Sequence, residues 1–313
     1  MSYLTTFGDN LQTPYDAAVV IPTVLRPTLR RAIESVFAQD LTGRIHVLVG
    51  MDVPGRDWPS FADRPENVTV QTFWPGYSTS TRHGGTTPSG DGGALRTILT
   101  YLANSAHVAY LDDDNWWAPH HLSTLKAAIA GVDWAFSQRW FVHPETSLPV
   151  AIDEWESCGP HRGIRAWPPT GFVDTSCLMI DKTLCRSVPQ CWTFPFLEND
   201  PMSADCTVSS FLTEMHTWRG TGEATAYYAM RETDPMHAQR TIWCGQNYVE
   251  AEMIDSDYAA AFTARVAAYR QRKAEQEAGT RAAQDAALSD AAAYMGALDL
   301  NVGRIGMATI DAA

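Results

Sequence analysis

Four short strand-like runs alternate with helix-like stretches between Ala17 and Ala130, and that alternation restricts the fold more than any other feature of the chain. Ala17–Ile21 is a continuous apolar run ending at Pro22, as expected of a strand buried on both faces. Leu29, Ile33, Val36 and Phe37 follow at helical spacing, with Pro27 near the first turn, where a missing N–H costs little. Ile45–Val49 and Val68–Phe73 read as the next strands. A glycine-rich loop from Tyr77 to Gly93 precedes a helix marked by Leu95, Ile98, Leu99 and Leu102. His107–Leu111 is a further strand, and Pro119–Ala130 a helix with Leu122, Leu125 and Ile129 inward. Such a pattern predicts a mostly parallel sheet covered by helices on both faces, with ligands beyond the carboxyl ends of the strands.

The second half is less regular. Val132–Phe136, Leu148–Ile152, Phe172–Ile180 and Ala224–Met230 are strand candidates, and Val208, Phe211, Leu212 and Met215 mark an amphipathic helix. From about Tyr248 the pattern is helical, with Ile254, Tyr258, Phe262, Val266 and Tyr269 in one apolar stripe. That stripe either packs back on the rest of the chain or forms a homodimer interface.

The strand at His107–Leu111 runs straight into Asp112-Asp113-Asp114-Asn115. In an extended chain residues i and i+2 point the same way, so Asp112 and Asp114 are expected on one side and Asp113 on the other. Two carboxylates at a strand's carboxyl end suit a hard cation such as Mg2+ or Mn2+. A solvated acidic turn before the Pro119 helix is the alternative. The formal charge is −13, which argues against a nucleic-acid partner and requires local compensation wherever a diphosphate binds. None of the six cysteines forms a CxxC pair, so buried thiols are expected. The N-terminal segment has neither the basic start nor the apolar run of a signal peptide, and no stretch approaches a membrane span; a cytoplasmic protein is expected.

Val19–Gln39 (VVIPTVLRPTLRRAIESVFAQ) followed by Leu111–Leu122 (LDDDNWWAPHHL) resembles a GT-A glycosyltransferase of the large family-two type. Both blocks occur in that family's order, and the resemblance covers roughly Ala17 to Arg240. It implies a Rossmann-like GT-A domain over residues 1–240, with a nucleotide-binding half at about 17–130 and an acceptor-binding half at about 131–240, then a helical extension over 241–313. It also implies a metal-dependent, inverting, hexosyltransferase-like enzyme that moves a sugar from a UDP-sugar to the hydroxyl of a saccharide or another acceptor.

Residue by residue, the resemblance assigns Pro22, Thr23 and Arg26 to the nucleotide loop. Asp52 takes the place of an acidic uracil partner, although Gly50-Met51-Asp52 departs from the family's Asp-Asp-Gly-Ser run. Gly93 and Arg96 start a helix facing the nucleotide, and Asp113 joins the nucleotide-facing set. Asp112 serves ribose or metal, Asp114 is the main metal ligand of the Asp-x-Asp motif, and His237 is the candidate third ligand. Asp205, with Asp200 second, is the candidate base, while Trp116, Asp174 and Thr175 border the acceptor. Two other readings stay open: a nucleotide-sugar or glycan-binding protein without catalysis, and a sugar nucleotidyltransferase. The latter is disfavoured because Pro22–Arg26 lacks a glycine-rich loop.

Overall fold

The computed structural model describes residues 4–8, 11–53, 58–90, 92–164, 171–197 and 203–245, together with Gln271, Glu275, Ala278 and Gly279. The chain divides into two compact units, Met1–Glu252 and Met253–Ala313. The sheet and its covering helices belong to the first. The apolar stripe from Ile254 to Tyr269, and with it the homodimer expectation, lies outside the described residues.

The nucleotide half is built from β1 (Leu4–Phe7), β2 (Ala17–Thr23), β3 (Ile45–Met51), β4 (Val68–Phe73) and β5 (His107–Tyr110), with α1 (Leu29–Phe37) and α2 (Gly93–Leu102) between them. Then come β6 (Trp116–Trp117), α3 (His121–Ala128), β7 (Trp134–Val142), β8 (Pro149–Ile152), β9 (Gly159–Pro160), β10 (Gly171–Phe172) and β11 (Leu178–Asp181). The first unit ends with α4 (Val188–Cys191), α5 (Ala204–Met215), β12 (Trp218–Ala229) and α6 (His237–Cys244). Among the described residues, ten strands form one sheet in the order β1-β4-β3-β2-β5-β11-β7-β12-β6, with β8 on β7; β9 and β10 pair separately.

The sheet is parallel from β4 through β3 and β2 to β5. All seven residues of β2 and of β3 are buried, which explains their unbroken apolar runs. The chain leaves β2 towards β3 on one side and reaches β5 on the other, so a crevice opens where their carboxyl ends diverge. Beyond β5 the sheet changes direction, because β11 is antiparallel to both β5 and β7.

The stretch Phe172–Ile180 is not one strand. The Asp174 carboxylate accepts the Ser176 N–H at 2.8 Å, which closes a 3-10 turn over Thr175–Cys177 and separates β10 from β11. The Pro119 helix is shorter than expected, His121–Ala128, and the last strand longer, starting at Trp218.

The blocks Val19–Gln39 and Leu111–Leu122 are tied together physically. Leu29, Ala32, Ile33 and Val36 bury one face of α1. Gln39, just past its end, donates to the Ala118 carbonyl and accepts the Leu122 N–H at 2.9 and 2.8 Å. It thereby satisfies a first-turn donor of α3 that has no partner within its own helix. All six cysteines are buried, and no disulfide joins them. No helix among the described residues is long and apolar enough to cross a membrane.

Candidate functional site

A cavity of about 170 Å³ sits at the carboxyl ends of β2, β3 and β5. β2 contributes Pro22 and Thr23, the loop after it Val24 and Arg26, and the residue after β3 is Asp52. The segment after β5 brings Asp112, Asp113 and Asp114. Gly92 and Arg96 enter from the start of α2, Arg82 and His83 from the preceding loop, and Arg231 from just beyond β12.

All three aspartates line this one cavity, which corrects the expected alternation. β5 ends at Tyr110, and the Asn115 N–H returns to the Asp112 carbonyl at 3.1 Å. The chain therefore turns instead of staying extended, and the period of two no longer applies.

Each carboxylate faces an arginine. Asp112 pairs with Arg96, which is almost fully buried and lies with its guanidinium 5.1 Å from the Trp192 ring. Asp113, 1 % exposed, binds Arg26 and accepts the Thr23 hydroxyl at 2.6 Å. That hydroxyl oxygen also accepts the Leu25 N–H at 2.7 Å, so the loop after β2 is fixed to the acidic turn. Asp114 lies 2.9 Å from Arg231 and 3.6 Å from Arg26. Burial pushes the Asp114 carboxyl up to about 6; Arg231 opposes the shift, and the charges of Asp112 and Asp113 add to it.

Asp52 is buried, and its Oδ1 accepts both the N–H and the hydroxyl of Thr79, at 2.6 and 2.9 Å. One oxygen thus anchors the loop that borders the cavity. Gly92 holds the left-handed conformation (φ 81°) that turns this loop into α2, with Pro22 so close that a Cβ would stand 2.8 Å from the proline's own. A Cβ on Gly93 would overlap the Trp192 carbonyl and the Ser89 hydroxyl. These close approaches fix the start of α2, whose N-cap Gly92 lines the cavity, and a helix N-terminus favours an anion.

The other residues singled out from the sequence stand elsewhere. Trp116 stacks on Tyr227 at 5.4 Å, with the Arg31 guanidinium 3.6 Å from its ring. Thr175 is buried in the 3-10 turn. Asp174 is buried and bound to Arg139 at 2.5 Å; burial raises its carboxyl, Arg139 opposes the rise, and the Asp112 charge adds to it. Asp205 lies in the first turn of α5, and its Oδ1 accepts the Cys206 N–H at 2.7 Å. His237 opens α6, and like Trp116, Asp174, Thr175 and Asp205 it does not line the cavity. Asp200 lies outside the described residues.

Two cavity arginines, Arg82 and Arg231, have no local pattern that marks them. Arg231 belongs to the Arg-Glu-Thr-Asp-Pro-Met-His run after the last strand, but only the pairing of β12 with β6 and β7 brings it to Asp114.

Among the described residues, no three His, Cys, Asp or Glu side chains converge as a metal-binding group. The donor set of Asp112 and Asp114 nevertheless suits a hard cation. It offers only oxygen, and Mg2+ commonly takes one or two carboxylates and completes its shell with phosphate oxygens and water.

No protein-family model matches the chain, and no curated protein matches its sequence. Solved structures do resemble it. S. aureus TarS 1-349 superposes with a TM-score of 0.50 at 14 % identity, over 77 % of this chain and 72 % of that one. The same protein in complex with UDP-GlcNAc gives 0.50 at 13 %, over 78 % and 71 %. A longer S. aureus TarS chain gives 0.51 at 13 %, over 68 % of this chain; the match spans only 36 % of that chain's length. The likeness is one of architecture: this chain has a GT-A-like fold.

Proposed function

We propose that this chain is a metal-dependent glycosyltransferase that moves a sugar from a nucleotide-sugar, a UDP-sugar, to an acceptor hydroxyl. The observation that carries the reading is the convergence of Asp112, Asp113 and Asp114 with Arg26, Arg96 and Arg231 on one cavity at the divergence of β2 and β5. The TarS chain that holds UDP-GlcNAc shares the fold, which supports a nucleotide-sugar as the donor.

Asp112 and Asp114 would hold Mg2+ or Mn2+, which would supply positive charge against the leaving diphosphate. Arg26 and Arg96 add fixed positive charge beside the same position, and the α2 N-terminus adds oriented N–H groups. Asp52, whose Oδ1 is held by Thr79, is assigned to the uracil ring. An acceptor hydroxyl needs a base. Asp205 is our first candidate and Asp200 the second. Trp116, Asp174 and Thr175 are assigned to the acceptor side. Residues 1–240 form the catalytic domain in this reading, and 241–313 an extension.

Calorimetry with UDP, with and without Mn2+, on wild type and Asp114→Ala tests the proposal. The expected result is UDP affinity that depends on Mn2+ and is lost in the variant. Unchanged, metal-independent affinity in Asp114→Ala refutes it. A screen for hydrolysis of several UDP-sugars then identifies the donor.

A further inference from the structure

Three arginines neutralise the three aspartates, but they are not held alike. Arg96 is 5 % exposed and packed beside Trp192. Arg26 is divided between Asp113 and Asp114. Arg231 is 46 % exposed, and its one ion-pair partner among the described residues is Asp114. Its backbone, by contrast, is anchored. The preceding residue, Met230, is fully buried and donates its N–H to the Val142 carbonyl at 3.1 Å. The Arg231 carbonyl accepts the Asp234 N–H at 2.9 Å, closing a turn. A fixed backbone thus carries a long, half-exposed cationic head, free to change partners without moving the sheet.

Asp114 is also the residue best placed to bind a cation in the metal-dependent glycosyltransferase reading, on which this inference rests. A dication on its carboxylate and a guanidinium 2.9 Å from the same group repel one another. The guanidinium of this pair is half in water while the carboxylate is buried, so a dication can take the place of Arg231 without leaving Asp114 uncompensated.

We infer that Arg231 is a displaceable counter-ion: it holds Asp114 while no cation is bound, yields that carboxylate to the dication, and then binds the diphosphate of the donor. The side chain lines the same cavity as the helix N-terminus and Arg26, so a diphosphate there lies within the reach of its fork. Arg231 is therefore a positioning residue for the metal ligand in one state and a substrate-binding residue in the other.

This predicts effects of opposite sign from one substitution. Arg231→Gln removes the competitor, so Mn2+ binding without nucleotide, followed by electron paramagnetic resonance of free Mn2+, tightens about threefold to fivefold. The same variant loses a charge-assisted contact to phosphate, so UDP binding at saturating Mn2+ weakens roughly tenfold by calorimetry. Arg231→Lys, which keeps the charge but not the fork, falls between the two on both measurements. Cooperative thermal unfolding of both variants, with Arg26 at 3.6 Å left as a counter-charge for Asp114, shows that the fold is intact. Unchanged or weaker Mn2+ binding in Arg231→Gln overturns the inference, as does unchanged UDP affinity at saturating Mn2+. Asp114→Asn separates this from the parent reading. If wild type binds both probes, Asp114→Asn loses Mn2+, and Arg231→Gln changes nothing, the inference alone fails. If wild type binds no Mn2+, or Asp114→Asn alters neither probe, both fail.

Discussion

Replacing Arg139 with methionine would strike the most heavily charged part of the interior. The Arg139 side chain is 1 % exposed and reaches Asp153 at 2.8 Å, Glu156 at 2.8 Å and Asp174 at 2.5 Å, with its guanidinium 4.1 Å from the Tyr228 ring. Arg240 shares Glu156 at 2.8 Å and also binds Asp234, which accepts the Tyr228 hydroxyl at 2.8 Å. Two guanidiniums thus serve four carboxylates. Without Arg139, Asp153 and Asp174 keep backbone N–H donors: those of Trp155, Glu156 and Ser157 for Asp153, and that of Ser176 for Asp174. Stranding buried charge in this way costs about 3–5 kcal/mol. For a unit of this size that is a fall in Tm of roughly 6–20 °C. Scanning calorimetry at neutral pH measures it. Arg139→Lys should rescue little, because an ammonium cannot address three carboxylates in one plane. Arg139→Met with Asp174→Asn should recover part of the loss. A Tm within about 2 °C of wild type for Arg139→Met would refute the reasoning, since it would mean the carboxylates need no counter-charge. The effect should also reach the cavity. Asp174 fixes Ser176, whose hydroxyl oxygen accepts the Asp112 N–H at 3.3 Å and the Asn115 side-chain N–H at 3.0 Å, so UDP binding should weaken as well.

Further outcomes follow from single contacts. Burial lowers His46 to about 4, so the unfolded chain takes up its proton first as the pH falls. Stability is retained above about pH 6.5 and lost towards pH 4, by up to roughly 3 kcal/mol; His46→Gln should flatten this part of the urea-midpoint profile, and an unaltered slope would count against it. Gly93→Ala should cost roughly 1–3 kcal/mol by forcing the start of α2 away from Trp192, measured as a lower urea midpoint, with weaker UDP binding as its companion. The loop from Tyr77 to Gly93, tethered by Asp52 through Thr79, should be cut more slowly by protease when UDP and Mn2+ are saturating, and equal cleavage rates would exclude ordering by ligand.

The sequence by itself determined the α/β class, and the resemblance carried by Val19–Gln39 and Leu111–Leu122 implied the GT-A-like fold. Buried runs such as Ala17–Ile21 and Ile45–Val49, and the helical spacing of Leu29, Ile33 and Val36, are set by backbone geometry over a few neighbouring residues. The resemblance implied one site for Pro22, Thr23, Asp52 and the aspartates, and a parallel sheet, whose strands all open their carboxyl ends on the same side, is compatible with it. What the tertiary structure alone decided was direction and partner. Asp113 turned to the same cavity as its neighbours because β5 ends one residue early, a choice made by the turn to Asn115. Arg231 met Asp114 only because β12 lies parallel to β7 and beside β6. Asp174 entered an ion cluster because Arg139, on β7, is buried beside it and needs a counter-charge. A charge has no periodicity. Its partner is whichever opposite charge the packed sheet places within a few ångströms, and that distance exists only once the strands have been ordered.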